Sequence, residues 1–330
     1  VDECHRGSAK ANSEWRDILE YFEPAVQIGM TATPKETDEV SNRYYFGDPV
    51  YEYTLKQGIN DGFLAPYRVV RVGLDRDLEG YRPEKGKRDR HGREIEDREY
   101  TRTDFDRDLV LSERTKRVAE KITEYLEETD PYSKTIVFCE DIEHAERMRQ
   151  ALVNENPQRV DEDSRYVMRI TGDSDEGKRE LDNFIDPESR YPVIATTSQM
   201  LSTGVDVQTC ELIVLDRNIR STTNFKQIIG RGTRIREEFD KVSFTIMDFR
   251  GVTRHFADPE FDGTPEQEYE PGPDESPVPP DDQDVSSTGE PPEDDLDEIT
   301  ADDDDGERGR KYYVDDVEVE VVNERVKYYT

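Results

Sequence analysis

Between residues 134 and 249 short apolar runs recur in a steady rhythm, at 135–139, 166–170, 192–196, 212–215 and 242–247. Helical patterns separate them, as in Ile142, Ala145, Met148 and Leu152. A strand that is apolar throughout, rather than at alternate positions, is buried on both faces. Such strands alternating with helices predict a parallel sheet covered on both sides. Right-handed crossovers then make it an open, doubly wound α/β domain. Ligands of these sheets bind at the carboxyl ends of the strands, so the loops after each run are where chemistry is to be sought.

The remainder of the chain divides around this unit. Residues 1–66 read as the end of another α/β domain. Trp15, Ile18, Leu19 and Phe22 fall on one helical face behind a capping Ser13. Residues 25–30 then read as a short buried strand, broken at Thr33-Pro34. Residues 67–111 form a charged insertion or linker, and 75–108, with Gly80, Pro83, Gly86 and Gly92, suit an exposed long hairpin. Ser112 opens an amphipathic helix with Val118, Ile122, Tyr125 and Leu126 inward, so the second α/β domain is expected over 112–262. Residues 263–310, rich in Pro, Gly, Asp, Glu and Ser and including four consecutive aspartates at 302–305, bury too little apolar surface to offset ordering and read as a disordered acidic linker. At 311–330, Val317, Val319 and Val321 alternate with Glu318 and Glu320, a strand with one buried face and no local partner domain.

The net charge is −34 and 38% of residues are charged. An acidic linker explains part of this. Adaptation to high salt, which screens self-repulsion, explains the acidic residues spread through the structured regions, and it is the favoured reading. Acidity ordinarily argues against a nucleic-acid partner, whose affinity comes from basic groups. That argument weakens if the acidic excess covers faces away from a local basic track. Cys4, Cys139 and Cys210 are scattered without a disulfide framework or zinc spacing. No run approaches the ~18 apolar residues of a membrane helix and no signal peptide is visible. A cytoplasmic, reduced protein with no membrane partner is expected. His91 and His144 have no companions suggesting a metal or a triad and are read as surface residues.

Four short segments carry chemistry by their order: Asp2-Glu3-Cys4-His5, then Thr31-Ala32-Thr33, then Ala195-Thr196-Thr197 with Gly204-Val205-Asp206, then residues 227–234. An acidic pair after a strand suits Mg²⁺ and a water attacking phosphate, although a solvated acidic pair is the plain alternative. Thr31 and Thr33 offer hydroxyls that sense a phosphate, or merely begin a loop. Thr197, Ser198, Gly204 and Asp206 follow a strand, where hydroxyls and amides contact nucleic-acid phosphates, or simply turn into a helix. Gln227, Arg231 and Arg234 share one face if residues 227–234 are helical. Two arginines there suit neutralisation of a transferring phosphoryl group better than a solvated basic patch in so acidic a chain. No G-x-x-x-x-G-K-[ST] loop occurs.

At this point the chain resembles the restriction (R, motor) subunit of type I restriction enzymes, within the superfamily-two DEAD/DEAH-like helicase motors. Residues 2–8, 136–145, 169–173, 247–251, 311–314 and 323–326 carry the resemblance. It implies an ATP-dependent double-stranded-DNA translocase with two RecA-like domains, ATP in their cleft, and deoxyribonuclease activity in the whole subunit. It implies Asp2 and Glu3 as the Mg²⁺ and water residues, and His5, Thr31 and Thr33 as coupling residues. Thr197 and Ser198 become DNA contacts, Gly204 and Asp206 nucleotide-linked. Gln227, Arg231 and Arg234 face the γ-phosphate, with both arginines catalytic. The implied partners are DNA, the methylase (M) and specificity (S) subunits, and the remainder of the R subunit. Because the phosphate loop and the family's nuclease domain are absent from these residues, a C-terminal-half fragment, inactive alone, is expected. A DNA-repair or remodelling helicase, and a non-catalytic DNA- or partner-binding module, are the competing readings.

Overall fold

The computed structural model describes residues 1–2, 4, 14–31, 45–201, 205–219, 221–256, 258–280 and 310–322. Seven parallel strands form the central sheet: β1 (Tyr67–Arg71), β4 (Lys134–Cys139), β5 (Val167–Arg169), β6 (Ile194–Thr197), β7 (Cys210–Asp216), β8 (Phe244–Asp248) and β9 (Gln267–Tyr269), in the order β5-β6-β4-β7-β8-β1-β9. Each of the five apolar runs contributes one of these strands.

Consecutive strand residues serve opposite faces. Val137, Leu212, Val214 and Met247 pack on one side with Val118, Ile122 and Leu126 of α4 (Ser112–Glu128) and Ala145, Met148 and Leu152 of α5 (Ile142–Glu155), which α6 (Pro157–Glu162) follows. Ile136, Phe138, Ile213 and Ile246 pack on the other, with Phe184 of α7 (Asp175–Ile185) and Phe225, Ile228 and Ile229 of α8 (Thr222–Ile229). This two-sided burial is why the strands read as continuous apolar runs. The helix starts are capped by Asp141, Ser174 and Ser221, whose side chains accept from backbone N–H groups three residues on.

Several expectations change. Residues 25–30 form no strand, and Val26, Ile28 and Met30 are exposed rather than buried. In α1 (Glu14–Tyr21), Leu19 is buried, but Ile18 and the following Phe22 are exposed. No helical layer among the described residues covers this region, so apolar pattern alone does not bury it. Ser13 and the Thr33-Pro34 break lie outside the described residues. Residues 54–66 belong with the second unit, since Leu55 and Ile59 of α2 (Leu55–Asn60) pack on its core and the Ala65 amide bonds the Thr233 carbonyl at 2.8 Å.

The segment expected to be an insertion or linker supplies β1, inside the sheet. The hairpin does form, with antiparallel bridges Tyr81–Tyr100 and Arg88–Glu94, and α3 (Asp75–Glu79) leads into it. It is not simply exposed. Ile95, Tyr100 and Phe105 are buried against the face that carries α4 and α5. The final segment has a partner after all. β10 (Tyr312–Val314) pairs in parallel with β3 (Leu109–Leu111), and β11 (Val321–Val322) pairs antiparallel with β2 (Gly73–Leu74). Val317, Val319 and Val321 are buried, as their alternation predicts. Of the stretch read as acidic linker, residues 263–280 are part of the folded unit through β9, and 281–309 lie outside the described residues.

Candidate functional site

The carboxyl end of β6 carries Thr197 and Ser198. Thr197 is fully buried, and its hydroxyl has no hydrogen-bond partner. An orphaned buried hydroxyl calls for an explanation such as a ligand-linked rearrangement. The Ser198 carbonyl accepts from Nη1 of Arg217 at 2.5 Å. Arg217 follows β7, and the next residue, Asn218, donates its backbone N–H to the Glu140 carboxylate at 2.8 Å. The ends of β4, β6 and β7 are thus cross-tied by side chains.

The arginine segment differs from expectation. α8 stops at Ile229 with Gly230 as its cap, so Gln227 alone is helical. Arg231 lies in the turn that follows, and Arg234 in chain with no regular secondary structure. The two glycines explain this: Gly230 ends the helix, and Gly232 packs where a Cβ would stand 2.2 Å from the Phe244 ring. The residues still converge. Arg231 donates through Nη1 to the Val205 carbonyl, and Arg234 Nε lies 3.1 Å from Asp206 Oδ1. Nε2 of Gln227 is buried and has no hydrogen-bond acceptor. The structure therefore joins Arg231 and Arg234 to the 205–206 loop.

Asp2 and Thr31 lie on a separate part of the chain. The Cys4 amide bonds the Met30 carbonyl at 3.1 Å and the Met30 amide bonds the Val1 carbonyl at 2.8 Å, which lays the first residues of the chain along Met30. Neither belongs to the seven-stranded sheet. Glu3, His5, Thr33 and Gly204 lie outside the described residues.

A buried charge cluster under the same strand ends escapes the sequence reading. Asp216 ends β7, Arg250 follows β8, Arg114 lies on α4, His144 and Arg147 on α5, and Asp106 comes from the segment after the hairpin. Arg114 bonds Asp77 and Asp216 at 2.8 Å each, and Arg250 bonds Asp106 at 2.8 Å and Asp216 at 3.0 Å. Arg147 reaches Asp106 at 2.9 Å. His144, read as a surface residue, is fully buried, with Nε2 3.2 Å from Asp216 Oδ2. Its Nδ1 accepts from the Glu140 amide at 3.2 Å. The signal was its position four residues before inward Met148.

Burial alone would raise the Asp106 carboxyl, but His144, Arg114, Arg250 and Arg147 outweigh it and hold the group well below the usual carboxylate range. Burial likewise opposes ionisation of Asp216, and Arg114, Arg250 and His144 hold it low. Ligand atoms of Asp106, His144 and Asp216 lie within 4.8 Å of one another, a spacing a metal ion accepts. Three guanidiniums already balance Asp77, Asp106 and Asp216, so a divalent ion would add uncompensated charge. The cluster is a structural lock that ties the 75–108 segment to the sheet.

A model of the helicase conserved C-terminal domain matches residues 117–236, and one of the type III restriction enzyme res subunit matches residues 1–36. Over its whole length the chain is 54% identical to the EcoAI type I restriction enzyme endonuclease subunit of Escherichia coli, covering 43% of that protein. Along its whole length the chain is thus similar to an endonuclease subunit of a type I restriction enzyme. The EcoKI endonuclease subunit of Escherichia coli strain K12 is 32% identical over 75% of this chain and 23% of its own length. A fragment structure described as an HsdR subunit of a type I restriction enzyme from Vibrio vulnificus YJ016 aligns with a TM-score of 0.64 and 45% identity, over 79% of this chain and 46% of that one. The chain thus spans less than half the length of these relatives. The seven-stranded unit is an α/β, RecA-like helicase C-terminal domain. No helix among its described residues is long and apolar enough to cross a membrane.

Proposed function

We propose that this chain is the ATP-driven double-stranded-DNA translocase module of a type I restriction R subunit. The observation that carries the reading is the convergence of Arg231 and Arg234 on the 205–206 loop, in the turn that follows α8 beside the first residues of β1 and β8.

The donors there fit a triphosphate: two guanidiniums, and a buried Gln227 amide whose hydrogens await an acceptor. Arg231, Arg234 and Gln227 would hold the γ-phosphate, and Asp2 and Glu3 the Mg²⁺ and attacking water. When bound, Mg·ATP supplies the phosphoryl group whose transfer to water drives movement. The guanidiniums stabilise charge as it develops, His5, Thr31 and Thr33 couple the acidic pair to it, and Gly204 and Asp206 keep the intervening loop close. Ser198, its carbonyl held by Arg217, would meet the DNA backbone, with the buried Thr197 hydroxyl behind it at the same strand end.

The M and S subunits and the remainder of the R subunit are the partners in this reading, and the cytoplasm its place. Residues 1–330 lack a phosphate-binding loop and are inactive alone. The acidic surface suits a cell with high internal salt.

The test is phosphate release by the R subunit that carries this chain, with and without double-stranded DNA. DNA-stimulated turnover is expected. Turnover indifferent to DNA, or none, contradicts the reading.

A further inference from the structure

We propose that Lys241 is the positioning residue of the arginine pair, its ammonium clamping the backbone of the turn that carries Arg231 and Arg234. The inference rests on the reading of that turn as the phosphate-facing element. It concerns a residue beyond the 117–236 stretch that matches the helicase model.

Lys241 is only 1% exposed, a place lysine almost never occupies unless paired. Its Nζ donates to the Arg234 carbonyl at 2.6 Å and to the Gly232 carbonyl. Both acceptors are backbone oxygens of the turn itself. Two charge-assisted bonds therefore fix the chain on either side of Thr233, between the two arginines' neighbours. The turn needs such help. It lies beyond the end of α8, and the ion pair of the Arg234 side chain with Asp206 is half exposed.

The local sequence builds the clamp. Arg236 and Lys241 exchange backbone hydrogen bonds at 2.8 and 3.2 Å, and Asp240 closes the loop in the left-handed region at φ 57°. This folds Lys241 back beneath residues 232–234. The Phe244 ring lies 5.2 Å from Nζ and also walls off Gly232.

The charged neighbours are few. Cys210 and Glu211 on β7 face the amine, and Arg234, Arg236 and Asp240 belong to its own loop. Burial pushes the Cys210 thiol up to about 12 and raises the Glu211 carboxyl. Burial draws the Lys241 ammonium down to about 8. Above that pH the neutral amine donates weaker bonds and the clamp slackens. Stability runs the other way. A cation depressed in the folded state binds its proton less tightly than in the unfolded chain, so its contribution to stability rises as pH climbs from about 8. Loss of turnover through Lys241 at alkaline pH is thus separable from unfolding.

The experiment compares wild type, Lys241→Met, Lys241→Arg and Arg234→Ala in the R subunit carrying this chain. It reads DNA-dependent kcat, ATP Kd, the pH profile of kcat and thermal melting. For folded Lys241→Met we expect ATP Kd within about threefold of wild type and kcat lowered on the order of 10–100-fold, the scale of a small misplacement. Lys241→Arg keeps its charge at high pH. It should restore part of kcat and remove the wild-type decline above pH ~8, the value set by burial. A folded Lys241→Met with wild-type kcat, while Arg234→Ala is inactive, overturns this inference and leaves the motor reading intact. If Lys241→Met does not fold, the pH profile decides: an alkaline decline identical in wild type and Lys241→Arg overturns it, and a decline lost in Lys241→Arg supports it. Wild type without ATP turnover overturns the motor reading and this inference with it.

Discussion

Arg234 Nε stands 3.1 Å from Asp206 Oδ1, with both side chains about half exposed to solvent. Arg234, which the proposed function sets against a phosphate, thus rests on a carboxylate that water reaches freely. An ion pair of this kind contributes little, because solvent screens it and ordering two side chains opposes it. It holds Arg234 near the loop without committing it.

Asp206→Asn should therefore leave folding stability unchanged to within about 1 kcal/mol. Urea denaturation of the chain checks this. A loss well beyond that range would make the pair part of the fold rather than a resting contact.

The buried cluster behaves oppositely. Asp106 neutralises parts of Arg114, Arg147 and Arg250 at 2.8–3.2 Å. Asp106→Asn strands charge in a dry interior and should cost about 3–5 kcal/mol. The pH dependence has a definite sign. Asp106 and Asp216 are held low when folded, so their contribution is present above the ordinary carboxylate value of ~3.9 and is lost as pH falls below it. Stability measured by equilibrium unfolding should fall steeply below pH ~4, with a shallower slope in Asp106→Asn. Equal slopes would remove Asp106 as a cause.

Gly232→Ala places a Cβ 2.2 Å from a Phe244 ring atom. Overpacking of this sort costs about 1–3 kcal/mol, and here it also shifts the arginine turn. Thermal melting with ATP turnover should show a lower midpoint and a lower kcat together. Unchanged values would mean the ring moves aside at no cost.

Salt gives an independent check on the acidic surface. The net charge of −34 repels itself over a Debye length that shrinks to ~3 Å at 1 M salt. The melting midpoint should rise from low to molar KCl. A flat response would assign the acidity to the 281–309 stretch alone.

Much of the fold was legible because a doubly covered parallel sheet writes itself as uninterrupted apolar runs, and all five became strands. The site was legible in part, because Thr197, Asp206 and Arg234 follow strands or glycines where a loop must lie. What stayed hidden depends on partners far apart in the chain. Residues 73–74 pair with 321–322, and 109–111 with 312–314, so neither segment announces its burial locally. Asp106, His144 and Asp216 are isolated charges in a chain where charge is everywhere, and only the fold brings them together. The continuous helix through 227–234 failed for a local reason, since glycines at 230 and 232 end helices.

The central claim is that the arginine turn acts on the phosphoryl group in flight. In the R subunit carrying this chain, Arg231→Ala and Arg234→Ala should each lower kcat for ATP on the order of 10³-fold or more, while ATP Kd stays close to wild type. Arg234→Lys should not rescue, because a lysine lacks the planar fork. Steady-state phosphate release with equilibrium nucleotide binding, measured side by side, decides it. Near-normal kcat in both alanine variants would reduce this turn to a solvated basic surface and contradict the account.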